Sequence, residues 1–183
     1  IIFAEAVKKR RQGDLLEVFE RHKINFPEIF KIVTEFWILI IDNKKDKAFR
    51  LLNSITINNE AQLQIINYNQ LLAYVYFNEH EKAKTLYENM EFSDFLFNSE
   101  SALALIKYFQ KYKESEVSES IRRKVRLASD NSYYVQALLS KLSDGEESDA
   151  IKITPFKQIA EVFFRWSQSV QPGDKNNINK LFY

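Results

Sequence analysis

The clearest hydrophobic pattern is a pair of apolar segments separated by a short polar break, in residues 71–90 (LLAYVYFNEHEKAKTLYENM). The segment before Asn78 is rich in large apolar side chains. The segment after it has Ala83 and Tyr87 four residues apart, in a stretch that also carries the charged residues Glu81, Lys82, Lys84 and Glu88. Such spacing is typical of an amphipathic helix. The pattern therefore predicts two helices joined by a tight turn at Asn78–His80.

The same pattern over the whole chain predicts ten helices. They span approximately residues 1–12, 14–23, 27–42, 45–55, 59–77, 80–90, 99–113, 116–129, 132–143 and 154–170. Pro27 and Pro155 suit the first turns of their helices, with Asn25 and Thr154 as the capping residues. Residues 142–150 and 171–177 are predicted loops. Glycine and proline total only six residues, which are too few to punctuate a β-rich domain, so an all-α class is expected.

The two-helix pattern recurs along the chain. Asn43, Ala48, Leu52 and Ile55 lie 35 residues before Asn78, Ala83, Tyr87 and Met90. Gly13 with Val18, and Lys113 with Ser118, continue the pattern upstream and downstream at offsets of 30 and 35. A repeat of this length is typical of stacked helical hairpins. Gly13, Asn43 and Asn78 tolerate positive φ and can turn the chain, and the small residues Ala48 and Ala83 let the two helices approach closely.

The best copy resembles the tetratricopeptide repeat family. The resemblance is carried by Asn69, Ala73, Tyr74, Asn78, Lys82, Ala83 and Tyr87. It covers about 13–118 and is best over 59–93, although the family's terminal proline and its helix A Trp and Gly are absent. It implies an all-α, right-handed stack of antiparallel hairpins forming one domain over residues 1–183. Another α-solenoid or a non-repetitive bundle is the alternative.

Candidate chemistry is sparse. There is no cysteine, which excludes disulfides and thiolate metal sites. His22 and His80 lack the spacing of known metal motifs, and His80 is expected to be an exposed turn residue. No glycine-rich phosphate loop or nucleophile elbow is present. We therefore expect no enzyme activity, no metal and no cofactor; an enzyme built from scattered Glu and Tyr is the alternative.

The resemblance implies that helix A of each hairpin lines a concave groove that binds a partner. The groove residues it implies are Val33, Trp37, Tyr68, Asn69, Leu72, Tyr76 and Lys107. Asn69 falls where family members grip a peptide backbone. In the alternative interpretation, Trp37 and Tyr76 are core residues. A second candidate surface is a basic patch formed by Arg122, Arg123, Lys124 and Arg126, whose alternative is an ordinary solvated helix surface.

The expected function is a non-catalytic scaffold that binds a protein or peptide, and a cytoplasmic location is expected. The alternatives are a peptide-sensing domain of a transcription factor, a structural subunit of a larger assembly, and a helical RNA-binding array. A net charge of +1 does not favour nucleic acid. The longest apolar run, residues 36–41, is too short to insert into a membrane. Residues 1–3 are expected to lie in the interior of a helix, and we therefore expect the chain to be excised, processed or incomplete.

Overall fold

The structure, a computed structural model, describes residues 17, 19–21, 27–128, 133–143 and 151–169, and every regular element in these ranges is helical. This confirms the predicted all-α class. The elements are α1 (Glu28–Ile41), α2 (Lys45–Asn53), α3 (Glu60–Tyr76), α4 (His80–Asn89), a 3₁₀ turn (Asp94–Phe97), α5 (Glu100–Lys111), α6 (Ser115–Ala128), α7 (Tyr133–Ser143) and α8 (Pro155–Ser169).

The bounds of all eight α-helices agree with the predicted ones within two residues. The predicted helices 1–12 and 14–23 lie outside the described residues, except that residues 17 and 19–21 are helical. The prediction placed the start of the loop 142–150 two residues too early, because residues 142 and 143 still belong to α7. Its remainder, and the loop 171–177, are outside the described ranges. Thr154 is a capping residue as predicted: its Oγ1 accepts a hydrogen bond of 3.3 Å from the Lys157 N–H.

Three tight turns, 35 residues apart, have the same backbone geometry. Asn43, Asn78 and Lys113 have φ of 59°, 58° and 61°. At each turn the next N–H donates to the carbonyl five residues before it: Lys44 to Leu39, Glu79 to Tyr74 and Glu114 to Phe109, at 2.8–2.9 Å. This is the hydrogen-bond pattern of a Schellman motif, which satisfies carbonyl groups at the end of a helix. The turns predicted at Asn43, Asn78 and Lys113 are therefore confirmed, and Gly13 lies outside the described residues.

A small residue is buried five positions after each of these turns. Ala48 and Ala83 are fully buried, and Ser118 is nearly so. Their N–H groups donate to the carbonyls of Lys44, Glu79 and Glu114, which begins the second helix in each case. The chain thus forms three hairpins of similar local structure, α1–α2, α3–α4 and α5–α6, which we call the first, second and third hairpins.

The chain divides into two compact units. Unit 1 consists of Ile1–Thr56 and Thr154–Tyr183, and in it α1 packs against both α2 and α8. Helix α8 is far from α1 in sequence, so this contact departs from a stack built in chain order. In the core, Phe36 meets Trp37 and Phe49 edge to face, at 5.1 and 5.7 Å between ring centroids.

Unit 2 consists of Ile57–Ile153 and contains the second and third hairpins. Within it α3 contacts α5, α4 contacts α6, and α7 contacts α5, so equivalent helices of the two hairpins are neighbours. That residues 1–183 form one continuous domain stays a prediction, and the division into two compact units does not test it.

The third hairpin begins with a feature that the hydrophobic pattern did not predict. The 3₁₀ turn Asp94–Phe97 lies about 35 residues after the first turn of α3, so it is the equivalent of that turn in the next repeat. It packs on α6 and α5. Phe97 is fully buried beside Tyr68 and Phe92, with ring centroids 5.5 and 6.2 Å away. These aromatic contacts hold the turn in unit 2.

Candidate functional site

Five of the seven predicted groove residues are buried: Val33, Trp37, Tyr68, Asn69 and Leu72. Their side chains therefore fill the protein interior and offer no surface to a partner. This corrects the groove derived from the sequence. The reason is visible in the repeat: Val33, Tyr68 and Leu103 occupy one register position, and all three face inward.

The contacts of Tyr68 and Asn69 explain why these two residues are buried. The Tyr68 ring lies edge to face with the rings of Phe92 and Phe97. Asn69 donates from Nδ2 to the carbonyl of Ile65 on the preceding turn, at 2.8 Å. This hydrogen bond is local to α3. Neither side chain is placed to grip a peptide backbone.

The other two predicted residues, Tyr76 and Lys107, line one concave surface of unit 2, with a volume of about 810 Å³. We call it the α3–α5 groove. Tyr76 is the last residue of α3 and is 43% exposed, although the alternative interpretation placed it in the core. Lys111, one repeat after Tyr76, is also exposed and lines the groove. The register position shared by Tyr76 and Lys111 is thus exposed in the second and third hairpins.

Four parts of unit 2 build the α3–α5 groove. The end of α3 supplies Val75 and Tyr76, and α5 supplies a row of residues that includes Ala104, Lys107 and Lys111. Lys107 and Lys111 are four residues apart and therefore on the same side of α5. Helix α7 and the segment after residue 150 complete the wall with Leu142, Ile151, Lys152 and Ile153, of which only Lys152 is exposed. These last contributors were absent from the sequence-based groove, because only the packing of α7 on α5 brings them there.

Tyr108 adds an aromatic ring to the wall of the α3–α5 groove. Burial is the main cause that raises the pKa of its phenol, and the neighbouring Tyr112 raises this pKa further. The phenol therefore keeps its proton at neutral pH. It supplies no charge to the groove, and its hydroxyl oxygen is buried.

A polar cluster joins the second and third hairpins outside this groove. Glu114 accepts from Lys84 Nζ, at 3.0 Å to Oε1 and 2.9 Å to Oε2, and His80 Nε2 lies 3.3 Å from its Oε1. The hydrogen bond from Lys84 is the largest cause of a lowered pKa for the Glu114 carboxyl, followed by that from His80. The same pairing raises the pKa of Lys84.

His80 is not the exposed turn residue that the sequence suggested. Its side chain is 16% exposed, and its ring stacks on Tyr112 with centroids 4.1 Å apart and planes 13° apart. Tyr112 and Glu114 lie 32 and 34 residues after His80, close to one repeat. That spacing is the sequence signal that could have placed them beside it.

The predicted basic patch does not form one exposed surface. Arg122 is buried, with Nε 3.4 Å from a carboxylate oxygen of Glu119. Lys124 Nζ donates to the Phe92 carbonyl at 2.8 Å and lies 3.3 Å from Asp94. Only Arg123 and Arg126 are exposed. Arg122, Arg123 and Lys124 point to different sides of α6, since successive residues of a helix are about 100° apart.

No family model matches the chain, and no curated protein or solved structure matches it either. The function of the α3–α5 groove is therefore inferred from the residues that line it. Among the residues described, none of the helices is long and apolar enough to cross a bilayer. In the same ranges there is no group of three His, Cys, Asp or Glu side chains that could hold a metal ion.

Proposed function

We propose that this chain is a tetratricopeptide-like array of stacked helical hairpins that binds a protein or peptide partner in the α3–α5 groove. It acts as a scaffold, without catalysis and without a cofactor. The observation that carries the proposal is the exposed Tyr76 ring at the edge of an open concavity that two adjacent hairpins build. Large aromatic side chains of this kind often supply most of the binding energy at an interface.

The repeat supports this proposal because it explains why a groove should form at this place. The equivalent helices α3 and α5 are neighbours, and so are α4 and α6. Stacked hairpins present their first helices along one side, which gives an extended surface for binding. A volume of about 810 Å³ is in the range of sites that hold a few side chains of a peptide.

Position-specific cross-linking tests the proposal. The photoreactive residue p-benzoylphenylalanine replaces Tyr76 in one variant and Phe95 in a matched control. Phe95 is 64% exposed, lies on the 3₁₀ turn and does not line the groove. We expect adducts in a cell extract from position 76 that position 95 does not give.

A second variant makes the test specific to the groove. Adding Lys107→Glu to the variant labelled at position 76 reverses a charge on the groove wall, and we expect the adducts to disappear. Circular dichroism checks that this variant remains folded. Identical adducts from positions 76 and 95, or adducts insensitive to Lys107→Glu, would contradict binding in this groove.

A further inference from the structure

The surface that the α3–α5 groove offers to a partner is aromatic and polar, because most of its aliphatic residues are covered. Four of them are buried and form a closed floor: Ala104, Leu142, Ile151 and Ile153. The exposed residues of the wall are Tyr76, Gln110, Lys111 and Lys152. A partner therefore lies on the rings and polar groups of this wall and does not insert large aliphatic side chains beneath them.

Two tyrosine rings belong to the wall. Tyr76 is 43% exposed, and its ring meets the Phe77 ring edge to face, with centroids 5.0 Å apart and planes at 71°. This contact supports the Tyr76 ring in one orientation. Tyr108 is half-buried and its hydroxyl oxygen is buried, so the hydroxyl is not the part that it presents to solvent. The wall thus offers ring surfaces to a flat, rigid apolar group.

The same wall offers hydrogen-bond donors more readily than acceptors. Gln110 and Lys111 are exposed and carry amide and ammonium donors. The described residues of the wall include no Asp or Glu. The backbone carbonyls of Val75 and Gln110 already accept from N–H groups of the turns that follow them. An extended peptide that brings many N–H groups to this wall would find few acceptors for them.

We propose that the α3–α5 groove binds a proline-rich segment in the polyproline II conformation. This inference rests on the proposed function, since it names the partner of the same groove. Proline has no backbone N–H and needs no acceptor. Its carbonyls are not bonded within the polyproline II helix, so they can accept from Gln110 and Lys111.

The pyrrolidine rings of such a segment lie on the rings of Tyr76 and Tyr108. Surfaces lined by aromatic rings are the usual docking sites of proline-rich segments, because the stiff helix presents its rings in a fixed order. Little conformational entropy is lost on binding, since the segment is already ordered before it binds. A shallow wall without open aliphatic pockets can therefore bind it.

Fluorescence anisotropy with three labelled synthetic peptides of equal length tests the inference. The first consists of Pro-Pro-Gln repeats, and the second has Ala in place of every Pro. The third is the mirror image of the first, made of D-amino acids, so its helix has the opposite hand. We expect the first to bind at least about tenfold more tightly than the other two. Its affinity should change by less than about twofold when salt is added, because the peptide repeats carry no charge.

Tyr76→Ala and Phe95→Ala serve as a matched pair. Each removes an exposed aromatic ring, but only Tyr76 lines the groove. We expect Tyr76→Ala to weaken binding of the first peptide by about tenfold or more, and Phe95→Ala to change it by less than about twofold. Tyr76→Phe keeps the ring and should bind within about threefold of the native protein. Circular dichroism checks that each variant remains folded.

The outcomes separate this inference from the proposed function. Equal binding of the first and second peptides, reduced by Tyr76→Ala, would overturn the proline-rich partner and leave the groove as a peptide site. Equal binding of the mirror-image peptide would also overturn it, because the hand of the helix would not matter. No binding of any peptide, with cross-linking from position 76 intact, would overturn the proline-rich partner but not the groove. Binding of the first peptide that Tyr76→Ala leaves unchanged would remove the groove as its site.

Discussion

The hydroxyl of Tyr112 donates a hydrogen bond of 2.7 Å to Oδ1 of Asn78. Asn78 is the residue with positive φ in the turn of the second hairpin, and Tyr112 ends α5 just before the turn of the third. The bond therefore joins equivalent turns of successive hairpins. The stacked ring of His80 and the pairing of Lys84 with Glu114 reinforce the same junction.

Replacing Ala83 with leucine is expected to destabilise unit 2. Ala83 is fully buried next to the turn of the second hairpin, so the larger side chain must displace the helix beside it. A loss of about 1–3 kcal/mol in the free energy of unfolding is expected from overpacking. Urea unfolding followed by circular dichroism measures it. The matched control is Ala61→Leu on the exposed side of α3, which should change stability by less than about 0.5 kcal/mol. An equal effect at both positions would contradict the close approach of α3 and α4.

Replacing Lys113 with glycine is expected to stabilise the protein. Lys113 has a φ of 61°, a conformation that costs a residue with a Cβ atom roughly 1–2 kcal/mol. Glycine adopts it without this cost but gains more entropy in the unfolded state, so a net gain of about 0.5–1 kcal/mol remains. Lys107→Gly, in the interior of the same hairpin's first helix, should instead lose about 1 kcal/mol. Thermal unfolding compares the two, and a loss for both would argue against the turn geometry at Lys113.

The pairing of Glu114 predicts a specific pH dependence of stability. Its pKa is lowered below the ordinary value of 4.5 in the folded protein, chiefly by the hydrogen bond from Lys84. The unfolded chain therefore takes up this proton first as the pH falls, and the stabilisation is lost between pH 4.5 and the lowered pKa. We expect Glu114→Gln to lower the urea midpoint at neutral pH, and this difference to shrink below pH 4.5.

Stability is also expected to depend on pH in the alkaline range, where Lys84, the partner of Glu114, loses its proton. The pKa of Lys84 is raised above its ordinary value of 10.5, so its contribution is present below pH 10.5 and is lost as the pH rises through the raised value. Glu116→Gln, at an exposed position of α6 two residues after Glu114, is the control and should have little effect on the urea midpoint. A difference between the native protein and Glu114→Gln that stayed constant down to pH 3 would rule out the pairing as its cause.

Substitution of Trp37 is expected to reduce stability, whereas substitution of Tyr76 is expected to reduce binding. Trp37 is fully buried in unit 1, so Trp37→Ala should cost about 3–5 kcal/mol of stability. Tyr76 is 43% exposed, so Tyr76→Ala should cost less than about 0.5 kcal/mol while it reduces cross-linking from other groove positions. Circular dichroism with heating measures the first effect. A stable Trp37→Ala variant would mean that the indole does not hold the core of unit 1.

The sequence by itself determined the local structure. The helices and the three turns at Asn43, Asn78 and Lys113 follow from hydrogen bonds and side-chain contacts that span only a few residues. Asn43 and Asn78 tolerate the positive φ that ends a helix, whereas Lys113 adopts it at a cost, and a small residue such as Ala48 or Ala83 follows at a fixed distance in the second helix. These requirements are visible as a repeat of 35 residues.

The tertiary structure alone decided which side chains are open to a partner. Trp37 and Tyr76 are both aromatic residues in the first helix of a hairpin, but the first is buried and the second is exposed. Their difference depends on which helix packs over each one, and such packing joins residues far apart in the chain. The contact of α8 with α1, the 3₁₀ turn held by Phe97, and the presence of Lys111 and Lys152 in the wall of one groove are of the same kind. A hydrophobic pattern records that a side chain prefers burial, but the neighbour that buries it is set by the packing of the whole unit.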